Sequence, residues 1–241
     1  MYIILFLERK IEFSIGEFYH LYNRGVEKRE VFLEARDYER FMKLLYLSNG
    51  TKPFVFRDIQ NKIIDSIERG DPLVAIGAYC LMPNHFHILV REITEGGISM
   101  FMEKLTTGYS KYFNTKHRRV GALFQGRFKA EHADNDEYLK YLFAYIHLNP
   151  IKLIDPLWKE SGIRNTKKAK SYLENYHYSS YRDYIEKDHP EARILSKEEF
   201  PKYFKTMDEF KDFTNDWLEY QTEAYVDGRF STKENNLSRT T

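Results

Sequence analysis

The stretch between residues 73 and 91 constrains the fold more than any other part of the sequence. Residues 73–81, LVAIGAYCL, form a continuous apolar run of the length of a buried strand. Residues 85–91, HFHILVR, form a second run rich in β-forming side chains, and Met82-Pro83-Asn84 supplies turn residues between the two. This pattern predicts a β-hairpin in which the first strand is buried.

Hydrophobic periodicity on either side of this hairpin predicts a mixed fold. The aromatic segment Glu17–Val26 alternates like a strand, and Ala122–Ala130 is either a short strand or a loop. Helical spacing is found in Asp37–Leu47, Ser99–Asn114 and Asp136–Leu148, and Ser99 can cap the second of these helices. The order strand, helix, strand, strand, helix, strand, helix predicts an α+β, ferredoxin-like (RRM-like) antiparallel sheet with helices on one face and a C-terminal helical appendage.

The chain of 241 residues has room for one large domain with an appendage. We divide it into an N-terminal extension (1–16), a core (17–152), an extension of the core (153–190) and an acidic helical tail with a disordered end (191–241). Within these parts, we expect Tyr2–Leu7 to be a short strand or an ordering tail, Trp158–Ala169 a loop, and Thr206–Glu223 an amphipathic helix. The apolar run at the N-terminus is too short for a membrane span or a signal-peptide core.

Charge is distributed unevenly although the formal net charge is only +1. Between Lys104 and Lys129 there are seven basic residues and no acidic ones, and aromatic rings are interleaved with them. This composition suits a surface that binds single-stranded nucleic acid, and the alternative is an ordinary solvated face. The candidate nucleic-acid contacts are Arg24, Lys104, Lys111, Lys116, Arg118, Arg119, Phe124, Arg127 and Lys129.

His85 and His87 are the first pair of residues suited to chemistry. Side chains at positions i and i+2 of a strand point to the same face, so the two imidazoles could bind one metal ion. The alternative is that both lie on a solvated sheet face. The only cysteine, Cys80, cannot form an internal disulfide, so we expect a reducing, cytoplasmic environment.

Tyr145 and Asn149 form the second pair. Positions i and i+4 of a helix share a face, so a phenol and a carboxamide would point to the same partner, whereas His147 would point away. An amide oxygen suits Mg²⁺ or Mn²⁺, and imidazole ligands extend the choice toward Mn²⁺. The alternative is that Asn149 only ends the helix before Pro150 and that Tyr145 is a core aromatic.

Four segments together resemble the HUH-type single-tyrosine transposases, in particular the REP-associated tyrosine transposase-like branch. They are YHLYNRG (19–25), MPNHFH (82–87), GALFQGRFK (121–129) and YIHLNP (145–150), and YSSYRD (178–183) follows the core. The resemblance covers roughly residues 17–185.

The resemblance implies metal-dependent cleavage and strand transfer of single-stranded DNA through a 5′-phosphotyrosine. It implies that His85, His87 and Asn149 bind Mg²⁺ or Mn²⁺ and that Tyr145, rather than Tyr138 or Tyr141, is the nucleophile. It also implies hairpin-forming DNA ends as the partner and a homodimer. The shortness of the apolar run at residues 2–7, and not the resemblance, is the reason that we expect no membrane association.

Two other functions stay open at this stage. One is a non-catalytic protein of this fold that binds structured single-stranded DNA or RNA. The other is a metal phosphoesterase that uses water, with Tyr145 in a structural role. The second lacks an obvious carboxylate base among the candidate ligands.

Overall fold

The computed structural model describes residues 11–59, 61–186 and 190–226, with side chains to residue 219. The strands are β1 Phe18–Arg24, β2 Val74–Met82, β3 His85–Glu92 and β4 Lys129–His132. The helices are α1 Ala35–Ser48, α2 Phe56–Ile59, α3 Gly97–Lys116, α4 Asp136–Leu148, α5 Trp158–Ser161, α6 Thr166–Asn175, α7 Tyr181–Ile185 and α8 Met207–Val226. Short 3₁₀ turns occupy Val26–Lys28, Ile64–Ser66, Asn149–Leu153, Pro190–Ile194 and Lys197–Glu199.

The four strands form one antiparallel sheet in the order β2-β3-β1-β4. With α1 between β1 and β2, and α3 between β3 and β4, this is the ferredoxin-like arrangement. The predicted α+β, ferredoxin-like sheet is therefore confirmed, whereas the expectation of helices on one face is wrong, because α1 and α3 pack on one face and α4 packs on the other. The predicted hairpin is formed by β2 and β3, with Met82 opposite His85 across the turn.

The two faces of the sheet carry different cores. Alternate residues of the strands, such as Leu21, Phe86 and Ile88, pack against α1 and α3 in the larger core. Residues of opposite parity, such as Cys80 and Leu89, pack against α4 in a second core. A strand presents successive side chains to opposite faces, so the register decides which residues lie beneath α4.

The N-terminal end of α3 differs from the prediction. The helix begins at Gly97, two residues before Ser99. Its N-cap residue is Gly96, which has no side chain that could cap the helix. Instead, the carboxylate of Glu92, at the end of β3, accepts a hydrogen bond from the backbone N–H of Ile98 at 2.8 Å. A side chain six residues earlier, on the preceding strand, thus satisfies one of the unpaired donors of the first helical turn.

The C-terminal part packs on the core as a group of helices. Trp158–Ala169, predicted to be a loop, instead contains α5 and the beginning of α6, and Trp158 is buried. Trp158 joins a third core with residues of α4, α6 and α8, including Phe210. The predicted amphipathic helix is α8. The division at residues 17, 153 and 191 stays a prediction, and the expectations for Tyr2–Leu7 and the polar C-terminal end lie outside the described residues.

Among the helices of the described ranges, none combines the length and the apolar character that crossing a membrane requires.

Candidate active site

The register of the sheet places both candidate histidines under α4. Tyr22 of β1 lies opposite His87, and Arg24 lies opposite His85. Directly opposed residues share a face, so these four side chains surround one region of the sheet. The ring centroids of His85 and His87 are 5.0 Å apart, and His87 is 1% exposed. The H-x-H motif therefore presents two neighbouring imidazoles, of which that of His87 is buried and that of His85 is half-buried.

Each imidazole is oriented through its Nδ1 atom. His85 Nδ1 lies 2.6 Å from Oδ1 of Asn84, a hydrogen-bond acceptor, so Nδ1 carries the proton. His87 Nδ1 lies 2.9 Å from Nε2 of His20. Both Nε2 atoms are buried and have no hydrogen-bond partner. Because the proton of neutral His85 is on Nδ1, its Nε2 has a free lone pair. His87 has the same tautomer when its Nδ1–H donates a hydrogen bond to His20 Nε2.

A chain of polar groups extends behind His87. His20 Nδ1 lies 3.9 Å from Oε2 of Glu131, which faces His20 across the β1–β4 pair. The two oxygens of Glu131 accept hydrogen bonds from the hydroxyls of Tyr22, at 2.7 Å, and Tyr138, at 3.0 Å. Burial alone would raise the pKa of Glu131, but His20, Tyr22 and Tyr138 outweigh it and lower the pKa. An ionised Glu131 favours a proton on His20 Nδ1, which leaves Nε2 to accept from His87.

Burial also fixes the charge state of the two candidate ligands. Desolvation is the main cause that lowers the pKa of His85 to about 3; the nearby cations Lys152, Arg24 and Lys159 contribute to this decrease, and Asn149 acts in the opposite direction. Desolvation likewise holds the pKa of His87 well below its ordinary value. Both imidazoles are therefore neutral at physiological pH, which is the state that binds a metal ion.

Helix α4 brings Tyr145 and Asn149 to the histidines. The Tyr145 ring lies 5.4 Å from the His87 ring and 5.8 Å from the His20 ring, in edge-to-face geometry. Asn149 is fully buried at the junction between α4 and the following 3₁₀ turn. Burial raises the pKa of Tyr145 to about 12, and the Asn149 carboxamide acts in the opposite direction. The phenol therefore needs a source of positive charge to ionise near neutral pH.

The residues present fit a divalent metal ion. Of the buried side-chain atoms in the described residues that have no hydrogen-bond partner, four belong to the candidate ligands: Nε2 of His85, Nε2 of His87, and both side-chain atoms of Asn149. Buried polar atoms without partners are rare in folded proteins, and a metal ion would satisfy three of these four. The described ranges hold no group of three or more His, Cys, Asp and Glu side chains arranged for a metal, and a third protein ligand beside the two histidines would have to be the amide oxygen of Asn149.

The other tyrosines of α4 are placed differently. Tyr138 donates a hydrogen bond from its hydroxyl to Glu131. The ring of Tyr141 lies between Tyr145, at 5.8 Å in a tilted arrangement, and Trp217, at 5.4 Å edge-to-face. Asn149 is one helical turn after Tyr145, whereas it is two turns after Tyr141. Tyr145 is thus the tyrosine that shares the buried polar cluster with the candidate ligands.

The predicted nucleic-acid contacts do not form one surface. Arg24 and Lys129 lie on the sheet face beneath α4, since Lys129 pairs with Tyr22. Lys104 donates to the carbonyl of Gly50, and Lys116 forms ion pairs with Glu34 and Asp37.

The remaining members of that set lie in and around the loop after α3. Phe124 is packed in the larger core against Phe86. Arg119 is held by Asn114 at 2.9 Å, whereas Arg118 is exposed. Lys111 and Arg127 line a groove between α3 and residues 121–128. Because α3 packs on the opposite face of the sheet from α4, most of this basic segment is separated from Tyr145.

Sequence reasoning missed three groups at the site. His20 belongs to the YHLYNRG motif (19–25). It precedes Tyr22 by two residues on β1, and this spacing indicates that both side chains lie on the face of the sheet that packs against α4. Lys152 and Lys159 carried no such signal, because neither belongs to a periodic pattern. Nζ of Lys159 lies 4.0 Å from the centroid of the Tyr145 ring.

The fold and the site define a class of protein: a ferredoxin-like domain with an H-x-H pair on its sheet and a tyrosine on a helix packed against that pair. Residues 55–149, less than half of the chain, match the family described as transposase IS200-like, and this span contains all four candidate residues. Over these residues the match agrees with the resemblance to HUH-type transposases that the sequence motifs indicate.

Comparison with solved structures gives a further similarity, to a REP-associated tyrosine transposase bound to a REP hairpin. That match has 16% sequence identity and a TM-score of 0.45, and it covers 73% of this chain and 84% of the other. No curated protein matches the sequence.

Proposed function

We propose that this protein is a transposase that cleaves single-stranded DNA and transfers the strand through a covalent tyrosine intermediate. The observation that carries the proposal is the convergence of the unpartnered Nε2 atoms of His85 and His87 with the Asn149 carboxamide beside the Tyr145 phenol. The match to the IS200-like family supports the reaction class.

In the proposed reaction, the Tyr145 Oη attacks the phosphorus atom of a DNA phosphodiester. The Oη–P bond forms and the P–O3′ bond breaks, so the 5′ phosphate remains on the enzyme and the 3′ oxygen takes up a proton as the free 3′-OH. The phenol proton leaves to solvent as the attack proceeds. His85, His87 and Asn149 would hold Mg²⁺ or Mn²⁺, which would withdraw charge from the phosphate when bound.

The covalent linkage makes the reaction reversible. Because a phosphotyrosine diester replaces a phosphodiester, a second 3′-OH can attack the same phosphorus and release Tyr145 with the strands rejoined. No nucleotide cofactor is required for this exchange. The chain's own contribution is to hold the phenol in a buried position next to the ligands, where water competes less as a nucleophile.

The partner and the assembly are proposed on the family resemblance. We propose hairpin-forming single-stranded DNA as the substrate, a homodimer as the assembly and the cytoplasm as the location. All four candidate residues of the site lie in one chain.

The test is covalent adduct formation with a labelled library of single-stranded hairpins, in Mg²⁺ or Mn²⁺, followed by denaturing electrophoresis. We expect a metal-dependent protein–DNA band that is lost in Tyr145→Phe. Tyr141→Phe, one turn earlier on the same helix, is the matched control and should retain the band.

Three other outcomes would contradict the proposal. Full adduct formation by Tyr145→Phe would move the nucleophile elsewhere. Cleavage that leaves a free 5′ phosphate and no adduct would indicate a phosphoesterase that uses water. Hairpin binding without cleavage under any metal would indicate a non-catalytic binding protein.

A further inference from the structure

The loop that follows β1, residues 25–32 and here named the β1 loop, is hydrogen-bonded to the turn between β2 and β3. The backbone N–H of Gly25 donates to the carbonyl of Asn84 at 2.9 Å, and the backbone N–H of Val31 donates to the carbonyl of Pro83 at 2.8 Å. Val31 is buried in the larger core, so the loop is anchored at both ends. The same turn leads directly into the H-x-H motif.

The middle of the β1 loop has an unusual backbone conformation. Glu27 has a φ of 57° and Lys28 a φ of 62°, both in the left-handed region that is unfavourable for residues with a Cβ. Two successive residues of this kind persist only where the surrounding contacts hold them. One of these contacts joins the loop to the turn, because Nδ2 of Asn84 donates to the backbone carbonyl of Lys28 at 3.2 Å.

This contact fixes the orientation of the Asn84 side chain. A carbonyl oxygen can only accept a hydrogen bond, so the amide nitrogen faces Lys28 and the amide oxygen Oδ1 is left for Nδ1 of His85, at 2.6 Å. Since Oδ1 can also only accept, the proton of neutral His85 lies on Nδ1 and its Nε2 keeps the lone pair that a metal ion needs. The direction of one backbone carbonyl in the β1 loop therefore decides the tautomer of a candidate ligand.

We propose that Asn84 is a positioning residue through which the β1 loop holds His85 in the tautomer that binds a metal ion. The use of that metal rests on the proposed function, whereas the tautomer is a property of the metal-free chain. Arg24, directly before the loop, lies opposite His85 in the sheet, so the loop begins at the edge of the site. A change in the loop thus reaches the metal ligand through one side chain.

A purely structural role of Asn84 predicts a different result. If Asn84 only tied the loop to the turn, loss of its Nδ2 donor would have the same effect as loss of the whole amide. Asn84→Leu removes donor and acceptor at similar volume, whereas Asn84→Asp removes the donor and keeps an acceptor for His85. Both oxygens of a carboxylate accept hydrogen bonds, so the aspartate variant no longer needs the loop to orient it.

The first measurement is two-dimensional NMR of the histidine ring nitrogens in the isotope-labelled, metal-free full chain, with His85→Gln to assign the signals. We expect Nδ1–H for His85 in the unmodified protein and in Asn84→Asp. In Asn84→Leu the Nδ1–H would have no acceptor, so Nε2–H should become the main tautomer. Asn175→Leu is the matched control and should leave the signals unchanged, because exposed Asn175 donates only within α6, to Ser171 at 2.7 Å.

The contribution of the loop is tested by a change of its backbone. Proline requires a negative φ, so Glu27→Pro displaces the Lys28 carbonyl from Asn84. We expect both tautomers of His85 in this variant, and a return to Nδ1–H when Asn84→Asp is added. Glu27→Gly tolerates the positive φ and should keep the tautomer of the unmodified protein.

Metal binding gives an independent second measurement. We expect the dissociation constant for Mn²⁺ to increase about 10- to 100-fold in Asn84→Leu and to stay within about threefold of the unmodified protein in Asn84→Asp. Persistence of Nδ1–H in Asn84→Leu, or an equal loss of Mn²⁺ affinity in both variants, would overturn the role of Asn84. An unchanged tautomer in Glu27→Pro would overturn the role of the loop. If the unmodified protein forms no DNA adduct, the proposed function fails, while the tautomers of the metal-free chain still decide this inference.

Discussion

The contact between His20 and His87 offers the sharpest test of how the site is built. His20 is fully buried, and its Nε2 lies 2.9 Å from Nδ1 of His87. In His20→Phe this acceptor is lost and the volume of the ring is approximately kept. The buried Nδ1–H of His87 would then have no partner, so the other tautomer, with the proton on Nε2, would become favoured.

The magnitude follows from this change of tautomer. A metal ion can bind His87 Nε2 only after the proton returns to Nδ1, where it would again lack a partner. Loss of a comparable hydrogen bond behind a metal ligand weakens metal affinity by about 10- to 100-fold, or about 1.4–2.7 kcal/mol. We expect His20→Phe to fall within this range. His20→Gln, with an amide oxygen that can accept the same hydrogen bond, should recover part of the affinity.

The assay is the EPR signal of free aqueous Mn²⁺ during titration with metal-free protein. His85→Ala provides the reference for a lost ligand, and His132→Phe is the matched control. His132 is an exposed histidine of β4 whose Nε2 lies 2.7 Å from the Glu17 carboxylate, on the face of the sheet away from α4. A dissociation constant for His20→Phe within twofold of the unmodified protein, with His85→Ala clearly weakened, would refute the reasoning.

Three further predictions concern the assembly of the site and the stability of the chain. Because one chain holds all the candidate groups, a mixture of His87→Ala and Tyr145→Phe should form no adduct, and an adduct band that appears only in the mixture would show that the site is shared between copies. Burial lowers the pKa of His147 to about 3, so its stabilising effect is complete above the unfolded pKa of about 6.5 and is lost as the pH falls toward 3. In urea titrations between pH 6 and pH 4.5, the free energy of unfolding of His147→Gln should therefore fall less steeply with pH than that of the unmodified protein. The two slopes should differ by about 1.4 kcal/mol per pH unit, and equal slopes would contradict the assignment. A Cβ at Gly25 would lie 2.3 Å from the Arg29 carbonyl oxygen, so Gly25→Ala should cost about 1–3 kcal/mol in urea unfolding, whereas Gly108→Ala, with ordinary contacts in α3, should be neutral or stabilising.

The sequence could predict those features that depend on local spacing. The β2–β3 hairpin follows from two apolar runs joined by a turn, and its register places His85 and His87 on one face without knowledge of the rest of the chain. Likewise, the spacing of Tyr145 and Asn149 on α4 needs only the helical repeat. The beginning of α3 was predicted wrongly because its capping group, Glu92, belongs to the preceding strand.

The basic segment shows a second limit of sequence reasoning. Lys104 to Lys129 are close in the sequence, but the segment runs along α3 and returns as β4. The helix and the sheet distribute its charges over different surfaces. Lys116 is neutralised by acids that precede or belong to α1, which no pattern within the segment could indicate.

The cation that contacts the Tyr145 ring comes from a part of the chain with no recognisable motif. Lys159 lies on α5, and its position depends on the burial of Trp158 in the core formed by α4, α6 and α8. The C-terminal helices therefore do more than cover the core, because they hold a charged group over the candidate nucleophile. Truncation before α5 would remove this group while leaving the sheet, α4 and the four predicted site residues in the chain. The charge around the phenol is thus a property of the whole described chain, whereas the candidate ligands are a property of the ferredoxin-like core alone.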